Sequence, residues 1–216
     1  MSARALCLLP LLTLLAACDE TRFAVDPLGE PRACESGLDG VWRIEDDGAP
    51  EYVHLRPDCE LRLLRPTMGG EGGVDFDAAA RRTVQLSPAI GRIDGVLYLA
   101  LTDDDFHRAA DDASVDRRHA EASGFHVFRI EMRGEQATVR AVDHREVAKA
   151  IIDERLRGSV AKDERGLKNR LDLDLDASRA LLPERWLFRR DDPLRLVRVR
   201  TQDLPPAVRR QVAEAP

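Results

Sequence analysis

The sequence predicts a mainly-β fold: an antiparallel meander forming a barrel or a strongly curved sheet, with one or two short helices in its C-terminal third. Three observations predict it. Short runs in which apolar and polar residues alternate recur between positions 40 and 142, and period two is the mark of a strand with one buried face. Gly, Pro and Asp clusters stand between those runs at turn spacing. Helical spacing of apolar residues is clear in one place, between positions 143 and 158.

The elements follow in order. Gly40 to Glu45 alternates and breaks at Asp46-Asp47-Gly48-Ala49-Pro50. Tyr52 to Leu55 and Glu60 to Leu64 flank Pro57-Asp58, a hairpin turn. Met68 to Gly73 holds four glycines and reads as a loop, and Thr83 to Leu86 is a short strand. Gly95 to Leu101 is a continuous apolar run, as expected of a strand buried on both faces. Asp103 to Ser123 is polar and reads as a solvated, partly helical insertion. Gly124 to Met132 and Ala137 to Val142 form a hairpin through Arg133-Gly134-Glu135. Asp143 caps a helix with Glu146 three residues on, Val147, Ala148, Ile151, Ile152 and Leu156 form its apolar stripe, and Gly158 stops it. Leu171, Leu173 and Leu175 alternate with Asp172, Asp174 and Asp176, giving a strand with one acidic face. A short helix over 178–185 and a strand over 194–199 complete the domain, and 205–216 is expected to fray.

Composition removes several classes of function. The 216 residues carry 33 Lys+Arg against 39 Asp+Glu, a net charge of −6. An acidic chain is a poor partner for a phosphate backbone, and aromatics at 5% are too few for a base-stacking platform. No nucleic-acid partner is therefore expected. Hydrophobic residues at 44% and charged residues at 33% suit a folded domain of ordinary size.

The N-terminus is a processing signal. Arg4 precedes an apolar core from Ala5 to Leu15, far shorter than the ~20 residues a spanning helix needs. It ends in Leu15-Ala16-Ala17-Cys18, which resembles the lipobox of bacterial lipoproteins. The resemblance implies removal of 1–17 and a diacylglycerol- and palmitate-type anchor on the Cys18 thiol, where several acyl chains give stable attachment. It also implies a cell-envelope address facing the periplasm. Asp19 resembles the inner-membrane retention signal of enteric lipoproteins. Residues 18–33 then read as a flexible tether and 34–204 as one domain. In an oxidising compartment the remaining cysteines, Cys34 and Cys59, have one internal partner each. A bridge between them closes a 26-residue loop, worth roughly 3–4 kcal/mol in the chain-entropy account. The rival states, two free thiols or a metal pair, lack His or Cys at ligand spacing.

Leu38-Asp39-Gly40-Val41-Trp42, opening the first strand of the meander, is similar to the start of lipocalins and of lipocalin-like domains in bacterial lipoproteins of uncharacterised function. The resemblance implies that Trp42 plugs one end of the barrel, that Gly40 permits the turn beneath it, and that an apolar cavity is the candidate site. Trp42, Tyr98, Phe125 and Phe128 are its candidate lining. Two late helices and the acidic strand depart from a simple eight-stranded cup.

Searches for chemistry return little. His54, His107, His119, His126 and His144 have no HxH, HxxxH or HExxH spacing, so the acidic segment holding His107 and His119 is expected to be solvated rather than a metal site. Asp172 to Asp176 begins like a calcium loop but has Ala177 and Pro183 where glycine and glutamate belong. No serine has a Gly-x-Ser-x-Gly setting, and Gly69 to Gly73 has no Lys-Ser/Thr after it. His126 is expected as a satisfied core or rim histidine. Arg185, Arg189, Arg190, Arg195, Arg198 and Arg200 form one basic stretch, read as the outer face of the last strand paired with the acidic strand, or else as a dock for anionic lipid or an acidic partner. No catalytic residue, metal or cofactor is assigned. The expectation is a non-enzymatic binding or envelope-accessory lipoprotein with an apolar small-molecule cavity. The alternative is an envelope protein–protein interaction lipoprotein without a pocket.

Overall fold

Strands form where the alternation is cleanest. The computed structural model describes residues 19–29, 37–45, 50–64, 67–68, 74–75, 83–110, 124–163 and 166–213. Its strands are β1 (Glu20–Phe23), β2 (Gly40–Glu45), β3 (Tyr52–Leu55), β4 (Leu61–Leu64), β5 (Thr67–Met68), β6 (Val74–Asp75), β7 (Val84–Leu86), β8 (Ala89–Ile93), β9 (Val96–Thr102), β10 (Phe125–Arg133), β11 (Gln136–Ala141), β12 (Gly158–Asp163), β13 (Gly166–Leu171) and β14 (Leu194–Val199). The helices are α1 (Asp103–Ala110), α2 (His144–Ile152), α3 (Leu175–Leu181) and α4 (Pro206–Ala213).

Twelve strands make one sheet, and β5 and β6 pair separately. Its main path runs β8-β9-β10-β11-β14-β2-β3-β4-β7, antiparallel at every step. The ends of that path, β7 and β8, are neighbours in sequence but do not hydrogen-bond to each other. The sheet is therefore strongly curved and not closed into a barrel. A branch leaves β10 past the end of β11: β1 pairs there through Phe23 and Phe125, β13 pairs parallel with β1, and β12 closes the branch.

Two cores sit on the two faces of β9 and β10. Leu97, Leu101, Phe128 and Ile130 join Trp42, Ile44, Leu63, Leu86 and Ile90 inside the curl. Tyr98, Ala100 and Val127 join Phe23, Val147, Leu171, Leu182 and Phe188 outside it, beneath α2 and α3. The apolar run expected to be buried on both faces is so buried. A smaller cluster of Val41, Tyr52 and Leu64 packs with Leu204 and Val208 of the α4 region.

Four expectations are corrected. The segment after Asp19 is not a tether throughout: Glu20, Thr21 and Phe23 are buried in β1, between β13 and β10, because Phe23 fills the outer core. The Leu/Asp alternation does not make a strand. β13 ends at Leu171, and the Asp174 carboxylate accepts the Ala177 N–H at 2.9 Å as the N-cap of α3. The arginine strand β14 therefore lies between β11 and β2, away from that acidic segment. Gly158 is not a helix stop, since α2 ends at Ile152. Residues 206–213 are helical and bury Val208 completely. The N-cap does hold: Asp143 Oδ1 accepts the Glu146 N–H at 3.2 Å. Residues 1–18, where the processing signal and Cys18 are expected, and Cys34 lie outside the described residues.

Candidate apolar cavity and the polar cluster beside it

The inner face of the curl does not fill itself. A cavity of about 120 Å³ remains, lined only by apolar residues, among them Trp42, Leu55, Leu86, Ile90, Leu99, Phe128, Ala137 and Leu194. Its walls come from β2, β3, β4, β7, β8, β9, β10, β11 and β14. Leu38 and α1 Ala109 complete the lining.

Trp42 lines the cavity at one end. Gly40 takes φ +124°, a region open to glycine and strained for other residues, and this turns the chain so that Trp42 points inward. The Trp42 indole N–H donates to the Leu38 carbonyl at 2.8 Å. Arg198 on the neighbouring strand lies over the indole at 4.6 Å, donates to the carbonyls of Asp39 (2.8 Å) and Gly37, and pairs with Glu135 at 3.1 Å. At the other end α1 packs Phe106 and Ala109 into the inner core.

Of the four aromatic candidates, Trp42 and Phe128 line the cavity. Tyr98 and Phe125 belong to the opposite face. Tyr98 donates its hydroxyl to the Leu182 carbonyl at 2.9 Å, and its pKa is raised by burial. Strand parity could have separated them, because Phe125 and Phe128 lie on opposite faces of one strand. Leu99, Ala109 and Ala137 carried no signal of their own.

Beside the rim lies a buried polar cluster that spacing did not reveal. His126 is 4% exposed, stacks on Phe106 at 3.8 Å, and its Nε2 meets Asp103 Oδ1 at 2.9 Å. His107 (3.5 Å) and Arg22 (3.0 Å) share that oxygen. Burial would raise the Asp103 carboxyl, but its hydrogen bonds from His107 and His126 and the Arg22 charge outweigh this and hold it well below the usual carboxylate range. Burial lowers the His126 pKa against the opposing pull of Asp103. Arg22 and Lys168 both reach Glu20 Oε1, at 2.8 and 3.0 Å. Thr21 Oγ1 meets His144 Nδ1 at 3.0 Å and accepts from Asn169 Nδ2 at 3.1 Å. Burial, then the nearby His126, lowers His144 to about 4.

Each group in this cluster is held by a neighbour, and the ring of His126 is shut away from solvent. The arrangement clamps β1 to β10, β13 and α1; proton transfer to a substrate would need access that His126 lacks. Among the described residues no group of three or more His, Cys, Asp or Glu could hold a metal, and His119 lies outside them. No helix of the described residues is long and apolar enough to cross a membrane. No protein-family model, curated protein or solved structure matches this chain.

Proposed function

We propose that the protein is a lipoprotein anchored through Cys18, facing the periplasm, whose lipocalin-like domain binds a small apolar molecule and does no chemistry on it. The observation that carries the binding reading is the wholly apolar, partly open cavity of about 120 Å³. An engineered apolar cavity of roughly 150 Å³ stays dry and takes up benzene. The volume here therefore fits one aromatic ring or a short alkyl segment, not a whole lipid. The Cys34–Cys59 bridge belongs to the same reading, and Cys59 is buried in the inner core. The pocketless interaction reading has less support: among the described residues the exposed large hydrophobics are Ile152 and Leu175, on separate helices.

Thermal unfolding with and without benzene tests the cavity. A ligand that binds only the native state raises Tm, with a stabilisation that grows as the logarithm of ligand concentration over Kd. The expected result is a higher Tm for the parent chain and none for Ala137→Leu, whose added methyl groups occupy the void. No shift in the parent chain would overturn the binding reading.

A further inference from the structure

The anchor and the sheet are separated by almost no chain. Asp19 is the one residue between Cys18 and β1, so the Cα atoms of Cys18 and Glu20 lie within about 7 Å of each other. Asp19 is itself fixed: its Oδ1 accepts the Leu167 N–H at 2.8 Å, and its Oδ2 faces Arg145 of α2 at 3.9 Å. A lipid on Cys18 therefore starts beside the N-terminal end of α2.

The outward face of that helix has the composition of a bilayer contact. Val147, Ala148 and Ala150 face the protein. Arg145, Lys149 and Ile152, spaced at i, i+4 and i+7, point away from it and are exposed. Ile152, at 69%, is the more exposed of the two large hydrophobics on the described surface. Glu146 and Asp153 stand on one flank of this stripe, not at its centre. An aliphatic tip one turn beyond two cations suits an interface where Ile enters the acyl boundary and Lys and Arg meet anionic headgroups.

Resting on the lipoprotein reading, we infer that the anchored domain lies flush on the bilayer, with the Arg145-Lys149-Ile152 face of α2 against anionic headgroups. The short leash supplies the proximity, and the stripe selects which face lands.

Full-length lipidated protein in phosphatidylethanolamine–phosphatidylglycerol vesicles with brominated acyl chains tests this. Trp fluorescence is compared for Ile152→Trp and Arg133→Trp, with Trp42 and Trp186 as common background. Arg133 is exposed and lies eight residues along β10 from the Phe125 attachment of β1, about 26 Å away. The expected result is stronger quenching of Ile152→Trp, lost when a long Gly/Ser insert separates Cys18 from Asp19. Equal quenching at both positions in a chain whose intact mass includes the acyl groups overturns the docking and leaves the anchor standing. An intact mass without acyl groups overturns the lipoprotein reading and the docking together.

Discussion

Arg198 ties three parts of the molecule with one side chain: the Trp42 ring, the carbonyls of the 37–39 turn, and Glu135 in the β10–β11 turn. The ion pair is the weakest of these, since Glu135 is largely exposed and such pairs are worth about 0–1 kcal/mol. The charge-assisted bonds to carbonyl oxygens contribute about 1.5–3 kcal/mol, and the cation over the indole about 0.5–1 kcal/mol. Arg198→Leu is therefore expected to cost about 2 kcal/mol or more in urea unfolding, while Glu135→Ala changes stability by less than about 1 kcal/mol. Equal effects of the two would show that the exposed pair, not the Trp42 contact, dominates. In the sequence Arg198 was one of several arginines on the last strand; only the pairing of Trp42 with Arg198 across β2 and β14 singles it out.

At the level of elements, the added branch β1-β13-β12 sets this sheet apart from a plain meander. Its outer strand β12 pairs antiparallel with β13 at close backbone approach, and Gly158 permits that approach. A β-carbon on Gly158 would stand 2.2 Å from the Arg170 carbonyl oxygen, so no side chain fits without parting β12 from β13. Gly158→Ala should cost about 3 kcal/mol, seen as an early loss of amide protection in 158–171. Phe23→Ala should cost about 3–5 kcal/mol, because Phe23 is fully buried in the outer core. If Phe23→Ala leaves stability unchanged, β1 is a dispensable appendage. The Pro and Gly content of the following residues masked β1 from the sequence; four residues are too few for alternation to speak.

For the whole molecule, acid stability follows from the buried cluster. His144 has a folded pKa of about 4 against about 6.5 when unfolded. Below pH 6.5 the unfolded chain binds the proton first, so stability falls as pH drops from 6.5 toward 4 and this contribution then levels off. About 2 kcal/mol is expected to be lost between pH 7 and pH 5, and His144→Gln should flatten that slope in urea titrations. Asp103, also depressed in the folded state, acts in the same direction at lower pH: its stabilisation is present above about pH 4 and is lost as pH falls below it. An unchanged urea midpoint between pH 7 and pH 5 would show that His144 titrates normally.

The sequence alone determined the mainly-β class, and it set β2, β3 and β14 to the residue because Gly, Pro and Asp turn residues stand beside each short run. It determined the Asp143 cap of α2, whose signal is local. It also placed Trp42 and Phe128 among the candidates for the cavity, by resemblance and by apolar content. It did not determine which face of β9 and β10 is the inside, since both faces are apolar and both are buried; that choice sent Tyr98 and Phe125 to the outer core. Nor could it show the Arg22-Asp103-His126 cluster, whose members are 81 and 23 residues apart. The tertiary structure decided these because curvature and strand order, not local pattern, set which residues meet across a sheet.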